Sequence, residues 1–331
     1  MSLLRRLTVA ASTAALGIGA ATVWAASRPR PMPRDSAAPE PPPDLPEGRI
    51  IHVPGHGEFF VRQTGDPSAP PVVLLHGWMF PSDLNWSTCY RPLGEIAHVI
   101  ALDHRGHGRG PRPSAPFRLS DVADDVAAVL KHLGLHPAIA VGYSMGGAVA
   151  QLLWRRHPEV VRGMVLCATS ASWTASPRMR WGWRAMGILQ MALRLVPRPW
   201  WERLYLAQAR GDLPVKVSQM VSEETPREVL DRLPWVIAEL DRGSAEDVAE
   251  AGRELGRYDA RSWIADVDVP TAVIITTRDS LVPLDAQRDL AARIHAVAVY
   301  QVDGDHDAVV ARREEFNAAL RSAVRDVWAH T

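Results

Sequence analysis

Gly142-Tyr143-Ser144-Met145-Gly146 holds the residue best placed to do chemistry in this chain. The apolar run Ala138–Val141 before it reads as a buried strand, and Gly146–His157 after it as a helix. A serine between strand and helix sits on a tight, strained turn, and flanking glycines keep side chains from colliding there. The turn lifts the Ser144 hydroxyl above the carboxyl edge of a sheet. A hydroxyl is a poor nucleophile and needs a base.

In turns of this kind the partners follow the serine as acid, then histidine. His306, in Gly304-Asp305-His306-Asp307, follows the last apolar run and is the expected base. His132, His136 and His157 fall on or beside helices, and His104 and His107 precede the serine. Asp279, Asp285, Asp305 and Asp307 compete to orient His306. Asp285 opens a helix, where its charge suits the N-terminus, and Asp305 and Asp307 flank the histidine and point elsewhere. Asp279, just past the run Thr271–Thr276, is the choice by chain order. The stretch after Val161–Cys167 carries Ala168, Thr169 and Ser170, so it offers no carboxylate. An oxyanion needs two preorganised N–H donors. The sequence points to the backbone of Met145, next to the serine, and of Trp78 in His76-Gly77-Trp78-Met79.

These residues need a sheet to hold them. Arg49–Val53 and Glu58–Gln63 read as strands, as do Pro71–Leu75, Val99–Leu102, Val161–Cys167, Thr271–Thr276 and Ala296–Val302. Between them lie a helix capped by Ser120 and stopped by Gly134, a helix at about Leu284–Ile294 and a closing helix at about Ala308–Trp328. Alternating strands and helices predict a parallel sheet covered on both faces. The alternation lapses over 170–262. That stretch holds Trp173, Trp181, Trp183, Trp200, Trp201 and Trp235, half of the twelve tryptophans, with Met179, Met186, Met191 and Met220. It reads as a helical cap folded over Ser144. Most of its tryptophans should glue it to the sheet, and the remainder should line an apolar pocket.

Together with Asp103-His104-Arg105-Gly106-His107-Gly108 and Val282-Pro283, these motifs resemble the α/β-hydrolase superfamily, in its serine esterase, lactonase and cofactor-free haloperoxidase branch, over about residues 50 to 330. The resemblance implies an α/β fold with a mostly parallel twisted sheet, helices on both faces and a helical cap inserted after strand 6. It implies a serine hydrolase that cleaves an ester or lactone of an apolar small molecule through an acyl-enzyme, with no cofactor and no metal. Relatives that dehalogenate or open epoxides carry Asp as nucleophile, and Ser144 argues against those activities. Peroxide in place of water, or carbon–carbon bond hydrolysis, stays open on the same three residues. A non-catalytic binding protein on this fold is the rival of another class.

Basic and acidic residues balance at 37 each, so no charge excess points to nucleic acid. Cys89 and Cys167 have no metal-ligand spacing and read as buried thiols, with a disulfide open to an exported chain. Arg5 and Arg6 precede the uncharged run Leu7–Ser27, which is long enough to span a bilayer at ~20 residues. Residues 1–28 therefore read as a signal or, slightly favoured, a membrane anchor. A Pro-rich linker over 29–48 and the main domain over 49–331 follow. The expectation is that the protein fractionates with membranes. N-terminal sequencing of the isolated protein tests it: a mature start near residue 26 to 28 marks a cleaved signal, and an intact start on a soluble cytoplasmic protein refutes both readings.

Overall fold

A computed structural model describes residues 40–112, 115–173, 232–240, 242–243 and 245–331. The expected anchor over 1–28 and most of the linker lie outside the described residues. So do most of the cap, including Trp181, Trp183, Trp200 and Trp201. No helix among the described residues is long and apolar enough to cross a membrane.

The apolar runs pair into one eight-stranded sheet. Its strands are β1 (Gly48–Val53), β2 (Gly57–Thr64), β3 (Pro71–Leu75), β4 (His98–Leu102), β5 (Ala138–Tyr143), β6 (Val161–Cys167), β7 (Thr271–Thr276) and β8 (Ala298–Val302). They lie in the order β1-β2-β4-β3-β5-β6-β7-β8. β1 and β2 are antiparallel to each other, and β2 to β4. Every other pairing is parallel. β3 and β5 are central and buried along almost their whole length, which is why they read as unbroken apolar runs rather than alternating ones.

Neighbouring residues on a strand point to opposite faces, so each strand feeds two cores. Val73 and Leu75 of β3 pack with α3 (Leu119–Leu133) and α4 (Met145–Arg156). Val72 and Leu74 pack on the other face with α1 (Ser82–Trp86), α2 (Tyr90–Gly94) and the C-terminal helix. The insertion after β6 shows α5 (Leu233–Leu240) and α6 (Ala245–Leu255), and Ser172 forms an antiparallel bridge with Asp259 near its ends. After β7 come α7 (Leu284–Arg293), α8 (Ala308–Ala311) and α9 (Arg313–Ala329). Trp173 and Trp235 are both buried. Cys89 and Cys167 are buried and unbridged.

Ser120 does not cap α3: the extended residue there is Arg118, and Leu119 already belongs to the helix, pulled in by its place in the core. Gly134 does end it, in the left-handed conformation (φ 68°). The closing helix is broken at Arg312, whose backbone (φ −116°, ψ 40°) separates α8 from α9. Helices α1 and α2, of five residues each, carry too few turns to show a period in the sequence.

Gly146 marks where this architecture has no slack. A methyl group there would run into the carbonyl oxygen of Leu75 and lie 2.8 Å from that of His76. Backbone cannot yield as a flexible side chain can, so Gly146→Ala should destabilise the domain by at least the ~1–3 kcal/mol typical of overpacking. Urea unfolding measures this, and an unchanged midpoint would show that α4 and β3 are less closely opposed.

Candidate active site

Ser144 stands between β5 and α4 with φ 53° and ψ −117°, a conformation that costs a side-chain-bearing residue of order 1–3 kcal/mol. Hydrogen bonds on both sides hold it there. Its N–H donates to Cys167 O at 2.9 Å, and its carbonyl accepts from Gly147 N at 2.9 Å and Thr169 Oγ1 at 2.8 Å. The hydroxyl is thus presented at the carboxyl edge of the sheet on a fixed stem.

The structure brings Ser144, His306 and Asp279 together from three separate loops. Ser144 Oγ lies 2.9 Å from His306 Nε2, and His306 Nδ1 lies 2.8 Å from Asp279 Oδ2. The three residues span 162 positions of sequence. Burial pushes the Asp279 carboxyl up, but the facing His306, the Thr276 hydroxyl and the Val282 N–H outweigh it and hold the group below its ordinary value. Burial likewise pushes His306 down. The charge and hydrogen bond of Asp279, helped by Asp305 and Asp307, reverse that and leave it above its ordinary value. Such a pair favours a charged carboxylate beside an imidazole ready to accept a proton.

Several supporting residues escaped the sequence reading. Asp279 Oδ2 accepts from Thr276 Oγ1 at 2.7 Å, and Oδ1 from the N–H groups of Leu281 and Val282 at 2.9 and 2.7 Å. Buried Gln287 on α7 donates to Val282 O and accepts from Thr276 N. Asp305 does not merely flank the histidine. Its Oδ1 accepts from both Ser280 N (2.8 Å) and His306 N (2.6 Å), tying the acid loop to the histidine loop. Tyr143 donates its hydroxyl to His306 O at 2.8 Å. A polar residue within an apolar run was the one available signal, at Thr276 and Tyr143.

Met145 opens α4, where the first N–H groups have no partner within the helix. Trp78 follows Gly77 at the end of β3, and a Cβ built on Gly77 would lie 3.4 Å from the Cβ of Ser144. Both expected oxyanion donors therefore belong to segments that meet at the serine. The rings of His104 and His107 lie tilted against that of His76, at centroid distances of 4.0 and 5.4 Å. Burial drives His76 down to about 4, His107 to about 3 and His104 well below its ordinary value. The three rings are buried against one another, and the loop of His104 and His107 carries charge through Arg105, which pairs with Asp125. Among the described residues no group of three or more His, Cys, Asp and Glu is arranged to hold a metal ion.

This chain belongs to the alpha/beta hydrolase fold family, whose model matches residues 70–309, and it is a hydrolase. It is 26% identical over 281 residues to the AB hydrolase superfamily protein YisY of Bacillus subtilis, covering 82% of this chain and 97% of that protein. It is 26% identical over 231 residues to 3-oxoadipate enol-lactonase 2 of Acinetobacter baylyi, covering 69% and 78%. The enol-lactonase structure from Burkholderia xenovorans superposes with a TM-score of 0.67 at 24% identity, over 84% of this chain and all of that one, and shows the same fold.

The raised value of His306 has a kinetic consequence. The free imidazole is the form able to accept the Ser144 proton, so kcat/KM against an ester should fall as pH drops through the His306 value. Its acidic limb should be centred above the ordinary 6.5. A pH–rate profile checks this, and a limb centred below 6.5 contradicts the pairing with Asp279.

Proposed function

We propose that this protein cleaves an ester or lactone of an apolar small molecule through a covalent acyl-enzyme on Ser144. The 2.9 Å and 2.8 Å contacts that join Ser144, His306 and Asp279 in series carry this reading. His306 Nε2 takes the hydroxyl proton as Ser144 Oγ attacks the carbonyl carbon. The carbonyl electron pair moves onto oxygen, where the N–H groups of Trp78 and Met145 receive it. The intermediate collapses as the carbon–oxygen bond breaks, and His306 returns its proton to the leaving alkoxide. Water, deprotonated by the same imidazole, then repeats the attack and frees the acid and Ser144. Asp279 keeps the imidazole in the tautomer with Nε2 free and stabilises its protonated form.

The apolar preference is supported by the tryptophan and methionine content of 170–262, which we read as a cap over Ser144. An enol-lactonase and esterases among the relatives are in keeping with a small carboxylic ester or lactone.

Three measurements test the proposal. A fluorophosphonate probe should label the purified protein and should not label Ser144→Ala. That variant should stay folded and lose about 10⁴–10⁶-fold in turnover. Across p-nitrophenyl esters from acetate upward, kcat/KM should rise, each accommodated methylene adding up to ~0.8 kcal/mol. Esterase activity surviving in Ser144→Ala refutes the nucleophile, and a series that is flat or falls from acetate refutes the apolar pocket.

A further inference from the structure

Trp78 enters the proposed mechanism through its backbone, yet its side chain is fastened to a distant part of the chain. The indole Nε1–H donates to the carbonyl oxygen of Val248 at 2.6 Å, across 170 positions of sequence. Val248 lies on α6, in the insertion. The neighbours of Trp78 are also fixed. Gly77 N–H donates to Asn85 Oδ1 at 2.7 Å, and Met79 has a φ of 75°, which a residue with a side chain keeps only where its surroundings impose it.

The insertion helices are themselves anchored on the carboxyl-edge loops. Buried Glu250 on α6 accepts from the Phe117 N–H at 2.8 Å, and Arg109 reaches Glu239 on α5 at 2.5 Å. Val248 O is therefore a fixed point rather than a carbonyl on a wandering loop.

We infer that the Trp78 indole–Val248 carbonyl hydrogen bond makes α6 part of the oxyanion site, with the Trp78 side chain as a positioning residue that sets the direction of its own backbone N–H. This rests on the reading of Ser144 and Trp78 given above. A peptide N–H turns only with the backbone that carries it, and oxyanion stabilisation depends on donors preorganised at the developing charge. An indole offers a single N–H donor and no acceptor, so its partner fixes the ring and, through it, the Trp78 backbone. Seating of α6 should then govern the chemical step more than substrate binding.

Trp78→Phe keeps an aromatic ring and deletes the N–H. On a p-nitrophenyl ester its kcat should fall about tenfold with KM little changed, less than the ~10²–10³-fold loss that follows removal of an oxyanion donor outright. A boronic acid, whose tetrahedral adduct with Ser144 mimics the intermediate, should lose affinity in the same proportion. Glu250→Ala, which loosens α6 from Phe117 without touching Trp78, should lower kcat in the same sense. Thermal unfolding identifies which variants are folded. A folded Trp78→Phe that keeps its kcat, or that raises KM alone as a mere pocket-lining side chain would, overturns the inference. Should Trp78→Phe fail to fold, an unchanged kcat in Glu250→Ala overturns it. Failure of the underlying reading looks different: the unaltered protein would hydrolyse no ester and Ser144 would take no fluorophosphonate label.

Discussion

The strained backbone of Ser144 is the constraint around which the rest of this structure is arranged. At φ 53° the residue is held against its own preference, and three hydrogen bonds to its N–H and carbonyl keep it there. The packing that makes the strain affordable is close contact of α4 with β3, which leaves no room for a side chain at Gly146. Buried strands on both sides of β5 give that contact its rigidity. The hydroxyl gains a fixed position and the first N–H groups of α4 gain a fixed direction from the same turn.

The second requirement is electrostatic. The Asp279 side chain is out of contact with solvent, and a buried carboxylate is costly unless it is paired and hydrogen-bonded. It is supplied with a hydroxyl, two backbone N–H groups and the His306 ring. Each oxygen is thereby satisfied while the side facing His306 stays available. Asp305 and Tyr143 hold the backbone of the histidine loop from two directions. The imidazole is thus held by its own backbone as well as by the partner of its ring.

A part-buried cluster of charge joins the sheet to the insertion. Arg62 on β2 forms a two-point ion pair with Asp83 on α1, and Arg109 contacts both Asp83 and Glu239. Breaking such a pair by removing one partner costs ~3–5 kcal/mol, because the other charge is left stranded. Phe60 lies beneath both guanidinium groups, at 5.0 and 4.3 Å from its ring centroid. Burial pushes the Glu239 carboxyl up, against the pull of Arg109 and Arg242. The insertion is therefore attached at these points by specific polar contacts as well as by apolar packing.

The sequence by itself determined the parts of this protein that depend on local pattern. A Gly-x-Ser-x-Gly between an apolar run and a helical period, and an Asp and a His each following an apolar run in that order, need only neighbours and spacing to be recognised. They located Ser144, Asp279 and His306 and the sheet that carries them. Tertiary structure decided what supports them. Gln287 near Asp279, Asp305 across to Ser280, Asn85 on Gly77 and Trp78 on Val248 are contacts between side chains and loops that no periodicity encodes. A polar residue at such a position looks in sequence like any solvated one. Only the folded chain shows that Gln287 and Asn85 are buried, and burial is what obliges such a side chain to find a partner.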